Sequence, residues 1–164
     1  MKRILSLFLV LLFYLGCANA TSNNFSNELF SAEIPEPFER VESAGILCFA
    51  PYGDALHASS IVVYTTELNW YFNEFTDSEY QAALSDLTGF DSISVTDVRR
   101  CKIDGYDARR IACSVQIEQG SHDLILYAVS ADRIYFFSLI NRDTDNYVEP
   151  FDTMMKSVSF AGER

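Results

Sequence analysis

The sequence predicts an α+β domain built on a twisted antiparallel sheet that is flanked by helices. Three observations support this fold class: many short segments alternate apolar and polar residues, two segments have helical periodicity, and an Asp-Gly pair joins the two longest strand-like segments. Consecutive strands with tight turns between them pair antiparallel, whereas parallel strands need a crossover connection. We therefore expect strands, a helix, four strands and a second helix, in that order.

Three short strands are predicted before the first helix. Residues 30–34 alternate apolar and polar side chains and are followed by Pro35, which ends a strand. Residues 45–49 form a second apolar segment that ends at the turn in residues 51–54. Residues 60–65 are rich in β-branched side chains, which suits a strand covered on both faces.

The first helix is predicted over Asp77–Thr88. Thr76 and Glu79 have the spacing of a capping box, and Gly89 stands where a glycine commonly ends a helix. The apolar residues that share one face of this helix are Tyr80, Ala83, Leu84 and Leu87.

A long hairpin is predicted from residues 93–103 and 106–118, with Asp104-Gly105 as a two-residue turn. Such a turn fixes which residues lie opposite each other. The predicted pairs are Ile103 with Tyr106, Cys101 with Ala108, Arg100 with Arg109, and Thr96 with Cys113. We expect this hairpin to lie at the centre of the sheet.

The last elements are two strands and a helix. Residues 122–130 and 133–140 keep a period of two and are apolar on both faces, so both strands should be covered on both sides. The second helix is predicted to begin near Val148, because Pro150 is compatible only with a first helical turn. Its apolar residues at helical spacing are Tyr147, Phe151, Met154, Met155 and Val158.

Four segments resemble the PsbP-like and DcrB-like α/β/α sandwich proteins: FSAEIPEPFE, CKIDGYDARRIAC, DRIYFFSLI and YVEPFDTMMKSVSF. The resemblance spans residues 30–160, and its motifs are architectural: Ile34-Pro35 ends a strand, Gly105 makes a turn and Ser157-Val158 ends the last helix. It implies exported or lipid-anchored proteins that act as accessory, binding or assembly factors without catalytic residues of their own. Because the family has no motif of functional residues, none is transferred to this chain.

The N-terminus has the three parts of a secretory signal peptide, over residues 1–20. Lys2 and Arg3 precede an apolar run in residues 4–15, and Ala18-Asn19-Ala20 supplies small residues for a cleavage site. The run is shorter than the ~20 apolar residues that a comfortable membrane span needs. We therefore predict cleavage after Ala20 and a periplasmic or secreted product.

A lipid anchor at Cys17 is the alternative. Leu15-Gly16-Cys17 resembles the end of a bacterial lipobox, although Tyr14 stands where an aliphatic residue is usual. Lipidation of Cys17 would tether the chain to a membrane surface, whereas cleavage after Ala20 would remove it. In the soluble form, residues 21–29 are expected to be a flexible leader and residues 30–161 a single domain.

The charge of the chain limits its partners. It has 23 acidic and 12 basic residues and a net charge of −11, and loss of the two cations of the signal peptide takes the charge to −13. So acidic a surface repels nucleic acid and anionic lipid headgroups, and it favours a basic partner. We expect a protein partner, no nucleic acid, and membrane contact only through a lipidated Cys17.

The cysteines allow at most one internal disulfide in the mature chain, which keeps Cys48, Cys101 and Cys113. Cys101 and Cys113 are five residues out of register in the predicted hairpin, so they should not bond to each other. Two arrangements are left open. Either Cys48 forms a disulfide with Cys101 or Cys113, or the three thiols are separately buried.

No convincing catalytic or metal-binding pattern is present in the sequence. The two histidines, His57 and His122, are not accompanied by a G-x-S-x-G, C-x-x-C or H-x-x-x-H motif. Cys48 lies in an apolar segment, where burial makes a thiol inert. Asp143 and Asp145 begin like a calcium loop but lack its later ligands, so we expect them to cap the second helix. We predict a protein that is not an enzyme and has no cofactor, with a small thiol- or histidine-dependent hydrolase as an alternative.

An aromatic cluster before the first helix is one candidate binding surface. Trp70, Tyr71, Phe72 and Phe75 lie among acidic residues. Large rigid rings supply contact area at a binding surface. The alternative is that these rings pack beneath the helix.

A basic cluster on the hairpin is the other candidate, and its members are Arg99, Arg100, Lys102, Arg109 and Arg110. Together they are half of the positive charge of the mature chain. The predicted register sets Arg100 opposite Arg109, and such a like-charge pair costs stability unless an anion or carboxylates lie between them. Either internal salt bridges or an acidic partner or anionic ligand would satisfy this cluster.

These observations predict an exported, non-catalytic binding or assembly protein of the bacterial envelope. Its partner is expected to be a protein that contacts the Trp70 region or the arginine hairpin. A second hypothesis is an inhibitor or immunity-type protein whose acidic face masks a basic partner.

Overall fold

The computed structural model describes residues 23–41, 46–54, 59–66, 74–88, 92–117, 120–142 and 146–161. The helices in these ranges are α1 (Asp77–Thr88) and α2 (Val148–Ser157). The strands are β1 (Asn23–Ser26), β2 (Phe30–Ile34), β3 (Phe38–Val41), β4 (Leu47–Pro51), β5 (Ser60–Thr66), β6 (Ile93–Ile103), β7 (Tyr106–Ile117), β8 (Gly120–Ser130), β9 (Ile134–Asn141) and β10 (Ser159–Phe160). None of the described helices is long and apolar enough to span a membrane.

The strands form two antiparallel sheets. The larger has seven strands in the order β3-β4-β5-β9-β8-β7-β6, and the smaller has the order β1-β2-β10. In the smaller sheet Phe30 pairs with Phe160, so an early strand and the last of the described strands are neighbours. The predicted fold class, an antiparallel sheet flanked by helices, is confirmed.

Two apolar cores lie on opposite faces of the seven-stranded sheet. On the α1 face, Tyr80 and Leu84 of the helix pack against residues of β6 to β9. On the α2 face, Phe151 and Met154 of the helix and Phe30 of the small sheet pack on β4, β5, β8 and β9. The layers are therefore helix, large sheet, and a third layer that combines α2 with the small sheet.

The small sheet includes a segment that was expected to be a flexible leader. Residues 23–26 form β1, which pairs with β2 over four residues. Phe25 explains the difference, because its ring packs on Phe30 and Phe49 at centroid distances of 5.4 and 5.3 Å. The Asn27 side chain also orders the turn that follows, since its Oδ1 accepts hydrogen bonds from the backbone N–H of Leu29 and Phe30.

The predicted hairpin is present, but it lies at the edge of the sheet rather than at its centre. Its turn pairs Ile103 with Tyr106, and Asp104 and Gly105 both have positive φ, as a tight two-residue hairpin turn requires. The central strand is β9, in which residues 134–139 are all buried. In β6 only Ile93 and Ile103 are buried, and a strand with so many exposed side chains suits the edge of a sheet.

A β-bulge changes the far end of this hairpin. The register shifts between Val95 and Asp97, so Cys113 lies opposite Val95 and not opposite Thr96 as predicted. Val95 therefore packs on the α1 face. The displaced Thr96 donates a hydrogen bond from its hydroxyl to the Ala112 carbonyl at 3.0 Å.

Both helices begin where the sequence predicted. At α1, the Thr76 N–H donates to Glu79 Oε2 at 2.7 Å, and the Glu79 N–H donates to Thr76 Oγ1 at 3.4 Å, which confirms the capping box. At α2, Pro150 lies in the first turn, and Asn146 Oδ1 accepts from the Val148 N–H at 3.1 Å. The capping role predicted for Asp143 and Asp145 falls on residues that lie outside the described ranges.

Candidate functional site

The hairpin register divides the basic cluster between the two faces of the sheet. Arg99 lies opposite Arg110, and Arg100 lies opposite Arg109. Residues that are directly opposite share a face, and successive residues alternate between faces. The first pair is therefore on the α2 face and the second pair on the α1 face.

On the α2 face, Arg110 is held by the helix. Its Nε and Nη2 donate to the two carboxylate oxygens of Asp152 at 2.9 and 3.0 Å, and the Tyr127 hydroxyl donates to Oδ1 of the same carboxylate at 2.8 Å. The Arg110 side chain is only 15% exposed, and the hydrogen bond to Asp152 raises its pKa. Arg110 thus joins α2 to the sheet, which is the internal salt bridge that was one of the two predicted roles for the cluster.

Arg99 is on the same face but is open to solvent. Its Nε lies 2.6 Å from Asp97 Oδ2, and its side chain is 70% exposed. An exposed pair between near neighbours on one strand contributes little to stability. Arg99 is therefore a suitable control position, because it is next to Arg100 in sequence but lies on the opposite face of the sheet.

On the α1 face, the remaining cations border a cleft of about 610 Å³. The described residues that line it are Glu74, Arg100, Cys101, Lys102, Asp107 and Arg109, and we refer to it as the basic cleft. Its volume lies within the range of ligand sites, about 300–1,000 Å³. Cys101 stands between Arg100 and Lys102 on β6, so the cleft borders the strand itself and not only the tips of two side chains.

The three cations of the basic cleft differ in their surroundings. Arg109 is only 6% exposed, and its Nη1 donates to the Ala108 carbonyl at 3.0 Å. Lys102 is exposed and lies 3.3 Å from Asp107 Oδ1. Arg100 is exposed and forms no ion pair with any residue that the structure describes. The charge most available to a ligand is therefore that of Arg100.

The balance of charge in the basic cleft favours an anion. Among the described residues that line it, three cations face two carboxylates, on a chain whose net charge is −11. Arg100 and the buried Arg109 are direct cross-strand neighbours, and their repulsion is stronger beside a low-dielectric interior than in water. A ligand carboxylate bound to Arg100 would lower this repulsion and gain charge-assisted hydrogen bonds from its guanidinium.

Two of the charged residues that line the basic cleft, Glu74 and Asp107, were not predicted from the sequence. Asp107 could have been found, because the Asp104-Gly105 turn sets it directly opposite Lys102. Glu74 gave no signal, because it comes from a segment far from the hairpin in sequence. Its place in the cleft depends on how the chain enters α1.

The aromatic cluster is largely beyond the described residues, which exclude Trp70, Tyr71 and Phe72. Phe75, its last member, is half-buried and packs on Tyr80 at a centroid distance of 5.6 Å. Tyr80 belongs to the core beneath α1. Phe75 therefore contributes to the fold, which was the alternative considered for this cluster, and the binding surface at Trp70 stays a prediction.

The three described cysteines are free thiols, so of the two arrangements left open the structure has separate thiols and not a disulfide of Cys48 with Cys101 or Cys113. Cys48 is on β4, while the other two are on β6 and β7, which are four or five strand spacings away. At about 4.8 Å per spacing these distances are roughly 19 and 24 Å, whereas a disulfide needs Cα atoms within about 7 Å. Sequence alone could not supply the strand order that separates them.

The thiols also lack the environment of a nucleophile. Burial raises the pKa of Cys113 to about 12 and raises the pKa of Cys48 and of Cys101 as well. Catalytic cysteines have a lowered pKa instead. His122 is half-buried at the start of β8, and His57 lies outside the described residues.

No protein-family model matches the sequence, and no curated protein sequence matches it. Solved structures do match. The cyanobacterial PsbP, CyanoP, of Synechocystis sp. PCC 6803 has a TM-score of 0.64 at 14% identity, over 88% of this chain and 96% of its own. LpqN of Mycobacterium tuberculosis, described as involved in cell envelope biogenesis, has a TM-score of 0.52 at 10% identity, over 87% of each chain. A protein of Bacteroides thetaiotaomicron has a TM-score of 0.55 at 14% identity, over 85% of this chain and 48% of its own.

These similarities establish that the chain has a PsbP-like fold, which confirms the resemblance expected from its sequence motifs. At such low identities the likeness is one of fold and carries no assignment of activity. Function must therefore be argued from the residues of the chain itself.

Proposed function

We propose that this chain is an exported, non-catalytic binding or assembly protein of the bacterial envelope, and that it engages a protein partner through the basic cleft. The observation that carries the proposal is Arg100, an exposed cation with no ion pair among the described residues, in a cleft of ligand size. A carboxylate of a partner would give this guanidinium charge-assisted hydrogen bonds.

The fold and the N-terminus support the envelope as the site of action. CyanoP and LpqN share this fold, and LpqN is described as involved in cell envelope biogenesis. Residues 1–20 have the pattern of a secretory signal, with Cys17 as an alternative point of lipidation. Mass spectrometry of the mature N-terminus tests the cellular location. An N-terminal Thr21 is the expected result, and a lipidated Cys17 identifies a form tethered to a membrane. An uncleaved Met1 contradicts export by this signal.

The cysteines favour binding over catalysis. A hydrolase that used a thiol would need one with a lowered pKa, and each of the three described thiols has a raised one. The basic cleft includes Cys101, but none of the other described residues that line it is a histidine that could activate this thiol.

The partner site is tested by reversing one charge at a time. The protein is expressed in cells with a photocrosslinking amino acid placed near β6, and crosslinked partners are detected as a band on a gel. Arg100→Glu should abolish this band. The matched control is Arg99→Glu, which makes the same change one residue away on the opposite face, and it should leave the band unchanged. Circular dichroism and a melting curve verify that both variants are folded. Equal bands for the two variants would rule out the basic cleft as the partner site.

A further inference from the structure

We infer that the basic cleft recognises an extended acidic segment of its partner. This segment adds as a strand to the open edge of β6 and places two carboxylates, separated by one residue, against Arg100 and Lys102. The inference rests on the proposed function, because it specifies how the partner is bound. Three features of the described residues support it: the strand edge, the spacing of the cations and the uneven neutralisation of their charges.

The first feature is the edge. β6 is the last strand of the seven-stranded sheet, and within the described ranges it pairs only with β7. It is eleven residues long, which is more than an added strand requires. The outward N–H and C=O groups of such an edge can pair with an extended peptide. The basic cleft borders this edge, because Cys101 lines it together with the residues on either side.

The second feature is the spacing. Arg100 and Lys102 are two residues apart on one strand, so their side chains share the α1 face and their Cα atoms are about 6.6 Å apart. An added strand repeats this spacing, and its residues i and i+2 also share a face. Two carboxylates at i and i+2 therefore meet both cations, whereas adjacent carboxylates would point to opposite faces and meet only one.

The third feature is the uneven neutralisation of the two cations, which indicates which of them binds a carboxylate more strongly. Lys102 already has Asp107 at 3.3 Å, while Arg100 has no ion pair among the described residues and lies opposite the buried Arg109. The first carboxylate of the segment therefore gains most from Arg100. Glu74, which lines the same cleft, repels an acidic segment. Its removal should strengthen binding, and this would not be expected of a residue with only a structural role.

Other anions fit these features less well. Inorganic phosphate would use the charge of Arg100 but not the strand edge. An anionic membrane presents its charge over a wide area and would be repelled by the rest of a chain with a net charge of −11, whereas a short acidic segment contacts only the basic cleft. Only a peptide uses both the backbone of β6 and the spacing of its cations.

Titration of the isotopically labelled protein with synthetic peptides, followed by two-dimensional NMR, tests the inference. The probe is a short acetylated peptide of threonine and serine that carries two glutamates separated by one residue. One control peptide has the same composition with adjacent glutamates, and another has the probe sequence with N-methyl groups on the amides that would pair with β6. We expect shifts confined to the amides around residues 98–103, and about tenfold weaker binding for each control peptide.

Protein variants complete the test. Arg100→Glu should weaken binding of the probe by about tenfold or more, Arg100→Gln should weaken it less, Arg99→Glu should change it by less than about twofold, and Glu74→Gln should tighten it. Equal binding of the probe and the adjacent-glutamate peptide, or of the N-methylated peptide, would overturn strand addition. Binding of inorganic phosphate or of anionic vesicles to the cleft, at concentrations where the probe does not bind, would also overturn the inference.

The partner site and the mode of strand addition can be refuted separately. If Arg100→Glu abolishes the crosslinked partner but the probe and its control peptides bind equally, the partner site stands and the strand-addition mode is wrong. If neither Arg100→Glu nor Arg99→Glu changes the partner band, the proposed function at the basic cleft fails, and with it the inference about how a partner is bound there.

Discussion

Replacing Asp152 by asparagine should lower stability by about 2 kcal/mol, because the Asp152 carboxylate joins α2 to two strands of the large sheet. It accepts two hydrogen bonds from Arg110 and one from Tyr127. The variant Asp152→Asn keeps the shape of the side chain, removes the charge and turns one acceptor into a donor. The amide nitrogen would then face a guanidinium or hydroxyl donor, and Arg110 would lose its counterion in a site where it is only 15% exposed.

The expected magnitude follows from the exposure of the pair. Exposed ion pairs contribute about 0–1 kcal/mol, and breaking a fully buried pair costs about 3–5 kcal/mol. The side chains of Arg110 and Asp152 are 15% and 30% exposed, which lies between these limits. We therefore expect Asp152→Asn to lower the free energy of unfolding by about 2 kcal/mol, and to lower Tm by about 6 °C for a domain of this size.

The assay is urea unfolding followed by circular dichroism. The matched control is Asp97→Asn, which breaks the pair with Arg99, whose side chain is 70% exposed, and should cost less than about 0.5 kcal/mol. A double-mutant cycle of Asp152→Asn with Arg110→Met isolates the coupling between the two side chains. If the two asparagine variants lose equal stability, or the coupling is below about 0.5 kcal/mol, Arg110 does not anchor α2 and its assignment as an internal residue is wrong.

Three further outcomes are expected. Because burial raises the pKa of Cys113 to about 12, this thiol should resist a disulfide reagent at pH 8 in the native state and react once the protein is unfolded; rapid native reaction would contradict the packing. Hydrogen bonds from the backbone N–H and the hydroxyl of Thr76 lower the pKa of Glu79, so the stabilisation from Glu79 is present above its usual pKa and is lost as the pH falls through the lowered one; Thr76→Ala keeps the N–H and removes only the hydroxyl, so the NMR titration midpoint of the Glu79 carboxyl should rise in part, and an unchanged midpoint would refute the hydrogen bond from the hydroxyl. Gly105 has φ +85°, so Gly105→Ala should cost about 1–2 kcal/mol in urea unfolding, and an unchanged stability would contradict this turn.

Local pattern predicted the elements of the fold well. The capping box at Thr76 fixed the start of α1, and the Asp104-Gly105 turn fixed the pairs near it, since both signals act over a few residues. The strand order was not accessible in this way. β6 and β7 are long and adjacent in sequence, but their position at the sheet edge depends on β9, which pairs with both β5 and β8. Such pairings join segments far apart in the chain.

In the candidate site, too, the local pairs were predictable and the contacts between distant segments were not. The predicted register of the hairpin was enough to set Arg100 opposite Arg109, as observed. The partner of Arg110 was not accessible, because Asp152 is 42 residues away and only the packing of α2 brings it close. The bulge between Val95 and Asp97 was missed as well, since no residue in that segment is a glycine that would have marked it.

The small sheet gives the folding of the domain a late step that depends on Ser159 and Phe160 of β10. β2 lies between β1 and β10, Phe30 pairs with Phe160, and Asp104 Oδ2 accepts from the Phe160 N–H at 2.9 Å, so the hairpin turn, the early strand and the last strand meet in one place. A chain that emerges N-terminus first, from a ribosome or through a membrane pore, cannot finish this layer until residue 160 is free. Folding that depends on such distant pairings is slow, because the chain between them must be ordered first.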